Sequence, residues 1–385
     1  MTGARSDTAD PASSRIATVH LVYPHGASVG TPDAIGRNLG ARLERRYRVE
    51  YHDWTARDRI TPAPDAALVG HPHPLPGTVF RRSSRAAGWG RVLMLAPFVT
   101  TPAQVAFEDG VVRRSDLVLA ITGPYWLSVL GASAVAHWAP RMRRLDLAID
   151  RADFPPLKAG FNPPGQRRFA YIGNNAPAKN TPYLSAIAAR LPGTDLAWFG
   201  TDRRPIEGLR PLGWQDFATP ASRALIGTFD FLVTVGRSDA NPTTILEAMA
   251  WGLIPVCTPQ SGYDGVPGII NVPLDDVDGA VAVIERLQGL PDQELRRLQA
   301  DNWRALDERY TWDRFADAVI DAIEANGRPA LGPDSAVRRI HLAWAAITSP
   351  ETSPLALLPS LARNRLRRWR RIARRVGPSG SAGKG

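Results

Sequence analysis

Two carboxylates bracket the start of a helix in the stretch Arg237–Pro259, RSDANPTTILEAMAWGLIPVCTP. Asp239 lies in the loop before the helix, and Glu247, eight positions later, lies about one turn inside it. Pro242 ends the loop. Thr243 and Thr244 start the helix, and either hydroxyl can cap a free backbone N–H. The free amides of such a helix start carry partial positive charge, so phosphate is a natural guest. Amides suit a diphosphate. Carboxylates suit the hydroxyls of a ribose and of a second sugar. The set therefore meets the demands of a nucleotide-sugar, with Asn241, Thr243 and Thr244 beside the two acids as donor contacts. Thr244-x-x-Glu247 also fits a capping box, in which Glu247 reaches back to the cap amide and binds no ligand. The spacing alone leaves both readings open.

The elements that must hold these residues read as two series of strands and helices. Residues 1–15 form a polar leader, expected to be disordered. In the first series, Ile16–Tyr23 is a buried strand, and HGASVG is a glycine loop before a helix from Thr31 to about Arg46. Pro32 suits the first helical position. Strand, glycine loop and helix start are how an α/β sheet presents an anion site at its edge. No G-x-G-x-x-G is present, so a dinucleotide fingerprint is not supported. Gly26 and Gly30 serve either that site or simply the turn. Arg48–His52, Asp65–Gly70, Arg91–Leu95 and Asp116–Ile121 read as further strands, and Thr122–His137 as the helix after the last of them. His71 and His73 stand in the loop GHPHP at a strand end. No further ligand cluster is near them in sequence, so no metal is expected, and acceptor-side contact or plain surface histidines remain.

Residues 156–167 read as a linker by their prolines and glycines. The pattern then restarts: strand Arg168–Ile172, loop GNNAPAKN, helix Thr181–Arg190, strand Asp195–Phe199. Phe229–Val235 feeds into the loop of Asp239. Leu253–Cys257 and Ile269–Val272 follow, with helices at about Val277–Leu287, Asp292–Arg309 and Thr311–Ala325. A second series of similar order points to two Rossmann-like α/β domains, 16–155 and 168–327, facing across a cleft. Lys179 lies six positions after Gly173, beside a helix start, where it either reaches a diphosphate as a point charge or is solvated. Trp214 either packs on a base or fills a core.

The run from Asp239 to LEAMAWGLIPV resembles the signature of retaining GT-B glycosyltransferases of the large family 4 group. The resemblance covers roughly 16–325 and is strongest over 169–258. It implies a metal-independent, cofactor-free enzyme that moves a sugar from a nucleotide diphosphate onto a surface-polysaccharide or lipid-linked glycan acceptor. It implies Asp239 and Lys179 as catalytic residues: Asp239 holding the donor sugar, and Lys179 and the helix amides stabilising the leaving diphosphate. Glu247 would hold the ribose. Gly173, Asn174 and Lys179 would form the donor turn, and Gly26 and Gly30 the glycine loop facing it. The sequence departs from the pattern in three places. Asp239 stands for the usual Glu, Asn174 for Arg, and Ala96-Pro97-Phe98 where a histidine is common. Two alternatives therefore stand beside transfer: a degenerate binding or scaffold subunit of the same fold, and a nucleotide-sugar 2-epimerase.

Composition narrows the class. A hydrophobic share of 44% and a charged share of 22% are ordinary for a globular protein. One cysteine, Cys257, excludes an internal disulfide framework, and its apolar strand predicts burial. The net charge of +10 is concentrated: eight arginines and one lysine, with no acid, fall between Leu361 and Gly385. Within the extension 328–385, Leu361, Leu366, Trp369, Ile372 and Val376 form an apolar stripe between the arginines. Residues 360–376 thus predict a basic amphipathic helix suited to an anionic membrane surface rather than to nucleic acid. With no apolar signal core and no run of about 18 apolar residues, the expected location is cytoplasmic, peripheral on the inner face of the cell membrane.

Overall fold

The computed structural model describes residues 15–24, 30–73, 75, 77–98, 102–201, 204–238, 241–336 and 340. Asp239, Gly26 and the 360–376 stripe lie outside them. The chain divides into two units: Met1–Phe98 with Val111–Gly332, and Val99–Gly110 with Pro333–Gly385, the latter carrying most of the helix Pro102–Val112.

The larger unit holds two six-stranded sheets. The first uses β1 (Thr18–Val22), β2 (Arg48–His52), β3 (Ala66–Gly70), β4 (Arg91–Pro97), β5 (Leu117–Ile121) and β6 (Met142–Leu145), in the order β2-β1-β3-β4-β5-β6. Its helices are α1 (Thr31–Leu43), α2 (Val79–Ser83) and α4 (Pro124–Val129), while α3 (Pro102–Val112) lies mostly in the smaller unit. The second sheet uses β7 (Arg168–Ile172), β8 (Asp195–Phe199), β9 (Arg210–Pro211), β10 (Phe231–Thr234), β11 (Ile254–Cys257) and β12 (Ile270–Asn271), in the order β12-β11-β10-β7-β8-β9. Its helices are α5 (Thr181–Ala189), α6 (Pro220–Ile226), α7 (Thr243–Trp251), α8 (Val277–Gln288) and α9 (Asp292–Glu308), and α10 (Trp312–Glu324) follows. Every strand pairing is parallel. Parallel sheets are covered on both faces, and β3, β5, β10 and β11 are accordingly buried along their whole length. This is the doubly wound α/β class that the two sequence series predict.

The strand orders place two switch points. In the first sheet the chain reverses between β1 and β3, and in the second between β7 and β10. Ligands of open α/β sheets bind in the crevice beyond the strand ends at such reversals. The chain leaves β1, β7 and β10 there, and the described residues that follow these strands include Gly30, Gly173, Asn174, Lys179, Asn241 and Thr243.

One local expectation is corrected. The single helix expected over 122–137 is broken: α4 ends at Val129 and short 3-10 turns follow at Leu130–Ala132 and Ala136–Arg141. Ser133 sits in the break. Its hydroxyl donates to the Leu130 carbonyl (2.7 Å) and accepts from the Val135 amide (3.2 Å), giving the backbone a local alternative to the helix. The strands β6 and β9 and the helices α2, α3 and α6 have no counterpart in the sequence expectations. The sequence of β6, MRRL, has only its end residues buried, so it lacks the apolar run of its neighbours. Helix α10 packs on α1 and β4. Arg91 of β4 donates to the carbonyls of Ala322 (3.0 Å) and Gly327 (2.7 Å), and Tyr47 donates to Glu324 (2.9 Å).

Candidate functional site

Helix α7 begins on Pro242 with no side-chain cap. The capping box is not formed, because Thr244 sits inside the first turn rather than at the cap. Glu247 takes its hydrogen bond from the Thr243 side chain instead. The helix ends at Gly252, whose φ of 91° a β-carbon would strain, and the Leu253 amide reaches the Ala248 carbonyl at 2.9 Å. The last turn is therefore closed internally while the first turn is open.

The first sheet contributes a second open helix end. Helix α1 starts on Gly30, again with no side-chain cap. Thr31 Oγ1 lies 3.4 Å from Thr243 Oγ1, across 212 residues of sequence. Two helix N-termini, one from each sheet, thus converge on one spot. Their partial positive charges add there, and an anion is the guest that relieves them. The carboxyl of Glu247 stands beside this spot. Burial pushes its pKa up to about 7, and the hydrogen bond from Thr243 only partly offsets that. A hydroxyl donor such as a ribose would hold its charged form.

The two sheets meet at glycines close by. A β-carbon on Gly123, before α4, would lie 1.9 Å from the Gly262 carbonyl oxygen. The Tyr125 amide donates to Asp264 (3.0 Å) and Trp126 Nε1 to the Gln260 carbonyl (2.8 Å). Asn241, at φ 48° and buried, is tied to the same loop through its amide on the Ser261 carbonyl (2.9 Å) and its side chain on Gly262 (3.4 Å). It secures the loop that leads into α7.

The turn after β7 holds Gly173, Asn174 and Lys179. The Gly173 amide bonds the Phe199 carbonyl at 3.1 Å, and its carbonyl takes Trp198 Nε1 at 2.8 Å. Exposed Asn174 accepts from the Ala176 amide (3.1 Å), shaping the turn. Lys179 closes a 3-10 turn before α5. This turn is joined to the loop after β10, where the Arg237 amide bonds the Ala178 carbonyl at 3.0 Å. The Arg237 side chain then meets Asp275 (2.9 Å) and Asn180 (3.4 Å), and Asn180 also bonds Asp275 (3.0 Å). Among the described residues, the non-glycine residues at positive φ are Asn180, Asn241 and Asp275. All three sit in the loops around the site, where backbone strain concentrates at functional places.

Arg237, Asp275, Asn180 and Thr31 are contributions that the sequence reading did not assign. A basic residue two before the loop acid was the available signal for Arg237. The pairing with Asp275, 38 residues on, has no local signature. Trp214 is 69% exposed, so it fills no core. Its loop lies at the strand ends, with the Gly213 carbonyl bonded to the Gly200 amide (3.1 Å).

On the first sheet, His71 and His73 flank Trp54, with ring centroids 5.3 and 4.8 Å away. Burial and the neighbouring His73 lower the His71 pKa to about 4, so this histidine is neutral at pH 7. Cys257 is buried as expected, and burial pushes its thiol up to about 12.

No family model matches the chain. A GDP-mannose-dependent alpha-mannosyltransferase of Mycolicibacterium smegmatis (strain ATCC 700084 / mc(2)155) is 28% identical over 204 residues, spanning 49% of this chain and 53% of that protein. The match thus covers about half of each. Among solved structures, sucrose-phosphate synthase from Thermosynechococcus elongatus superposes with a TM-score of 0.58 at 14% identity, covering 79% of this chain and 98% of that one. The catalytic domain of starch synthase IV from Arabidopsis thaliana, bound to ADP and acarbose, gives 0.57 at 12% identity, with 80% and 99% covered. The chain has the GT-B fold of these glycosyltransferases.

Proposed function

We propose that the protein is a glycosyltransferase that moves a sugar from a nucleotide-diphosphate sugar to a hydroxyl of a glycan acceptor. The observation that carries this reading is the convergence of two uncapped helix starts at Thr31 and Thr243, with Glu247 in the first turn of α7. A diphosphate seated there is a leaving group, and fixed donors that stabilise its developing charge are the largest expected catalytic term. Lys179 adds a mobile positive charge from the turn hydrogen-bonded to Arg237. Glu247 receives the ribose hydroxyls, and exposed Trp214 supplies a face for the base. Asp239 holds the donor sugar, by its resemblance to the family's first acid. The pair of histidines around Trp54 offers an aromatic and polar surface to the acceptor. The reaction proceeds with retention at the anomeric carbon and needs no metal at the donor site. The acceptor is a surface-polysaccharide or lipid-linked glycan, and residues 360–376 bring the enzyme to an anionic membrane from its cytoplasmic side. GDP-mannose is the first donor to try, after the mycobacterial relative's name.

The deciding experiment is a thermal-shift screen of UDP-, GDP- and ADP-sugars on the wild type and on Glu247→Ala. A donor at a hundred times its Kd raises folded-state stability by about 2.7 kcal/mol. One base class should shift the wild type and not the variant. Turnover without added Mg2+ or Mn2+, and an axial or equatorial product bond matching the donor's by NMR, check metal independence and retention. Absence of any shift on folded protein sinks the donor site. Transfer that survives Asp239→Ala removes that residue's role, and an isomerised nucleotide-sugar released without acceptor would make the protein an epimerase.

A further inference from the structure

Three ligand-type side chains gather on the edge of the first sheet, and the proposed transfer reaction uses none of them. The register of β1 and β2 sets His20 beside Glu50. His52, two residues further along β2, returns to the same face. His20 Nδ1 lies 3.1 Å from His52 Nε2 and 3.3 Å from Glu50 Oε2, and the three ligand atoms all lie within 4.8 Å of one another. We propose that His20, Glu50 and His52 bind a divalent cation of the zinc type.

Two of the three separations, 3.1 and 3.3 Å, are those of a coordination shell, and the third pair, within 4.8 Å, draws together when a cation binds. Bonds of about 2.0–2.1 Å at a tetrahedral centre separate neighbouring ligand atoms by about 3.3 Å. Hydrogen bonding accounts for the cluster less well. His20 Nδ1 carries at most one proton, yet it meets both a ring nitrogen and a carboxylate oxygen at close range. One proton must then be shared between two acceptors, or the Nδ1 lone pair must face the carboxylate. A cation at the centre satisfies all three lone pairs at once.

The surroundings support ligation. The other carboxylate oxygen, Glu50 Oε1, takes Arg48 Nη2 at 2.8 Å, which holds Oε2 towards His20. Outer partners of this kind orient metal ligands. Trp89 packs edge-on against His20 at 5.4 Å, and its Nε1 is fixed on the Ser83 carbonyl at 3.0 Å. His20 is 8% exposed, while Glu50 and His52 are partly exposed. The ligand set is therefore anchored on the buried side and open to water on the other, which supplies an entry path and a fourth ligand. Two imidazoles and one carboxylate suit zinc among the common divalent ions. The cation would tie β2, an edge strand, to β1.

The test uses untagged full-length protein, stripped with a chelator, dialysed and titrated with Co2+. One equivalent should give the visible absorption of a four-coordinate cobalt site, and Zn2+ should displace it. His52→Ala and Glu50→Gln, each checked for native circular dichroism, should weaken binding by at least about tenfold, since even outer-shell partners of metal sites are worth that much. The double variant His71→Ala/His73→Ala should bind as the wild type does. No stoichiometric uptake, binding that survives both β2 variants, or equal loss in the His71/His73 control overturns the site.

Discussion

The two ends of strand β10 carry similar chemistry in opposite states. Before the strand stands Asp230, fully buried and saturated. It accepts from the Asn162 amide (2.9 Å) and side chain (2.7 Å), from the Arg168 amide (2.9 Å), and from Lys158 Nζ at 2.8 Å. After the strand, the chain runs through Arg237 to an α7 start that no side chain caps. Glu247 there has a single hydroxyl donor and a raised pKa. One end is complete without a ligand. The other leaves its helix start uncapped by any side chain. A charge that is paired stabilises or specifies the fold, and a set of donors left open is available for chemistry.

The largest effect expected is at the closed end. Asp230→Ala leaves Lys158 buried and unpaired, and should cost about 3–5 kcal/mol in urea unfolding. Replacing both, with Lys158→Met and Asp230→Leu, should recover part of that. If Asp230→Ala costs under about 1 kcal/mol, the contrast between the two ends fails.

The next effect tests the approach of the two sheets. Gly123→Ala forces a β-carbon onto the Gly262 carbonyl. Turnover should fall by about a hundredfold, in line with the cost of a 1 Å misplacement, and the unfolding midpoint should fall as well because the clashing atoms are backbone, while the variant remains folded by circular dichroism at the assay temperature. Loss of the native circular dichroism at that temperature would mean that the contact serves the fold rather than the site.

Glu247→Gln sharpens the comparison at the open end. The folded pKa of about 7 lies above the ordinary glutamate value of 4.5. Folded-state stability therefore declines as pH rises from about 4.5 through 7, because the fold disfavours the charge that the unfolded chain accepts. The variant should lose this slope and gain about 1–2 kcal/mol at pH 8, after allowance for partial exposure, while losing the donor-induced shift. A variant less stable than wild type at pH 8 would show that the carboxylate supports the fold.

Smaller effects follow at the rim. Trp214→Ala should weaken nucleotide binding by about 0.5–1.5 kcal/mol, the range of an aromatic stacking contact, without changing stability. Arg237→Ala opens the link to Asp275 and Asn180 and should raise the donor KM by about fivefold, roughly 1 kcal/mol. A change in kcat alone would place Arg237 at the reacting atoms instead.

Much of the fold was legible because it is local. Strands such as Arg48–His52, Arg168–Ile172 and Asp195–Phe199 announce themselves by composition and by the turns that bound them. Helix α7 is readable from Pro242 to Gly252, since the proline that opens it and the glycine that ends it lie within its own short stretch; that no side chain caps its start was not. The motif around Glu247 was visible because it too is local. The break at Ser133 was not, because a hydroxyl competing for the backbone costs little and leaves no periodic trace.

The sequence by itself thus determined the two α/β series, the bounds of α7, and Glu247 within its first turns. Only the tertiary structure decided what those elements meet. It brought Thr31 to Thr243, joined Arg237 to Asp275, seated α10 on the first sheet, and set His20 against Glu50 and His52. The reason is physical. Helix starts and strand periods are governed by neighbours in the chain, whereas these meetings follow from strand order and register, which many residues far apart settle together.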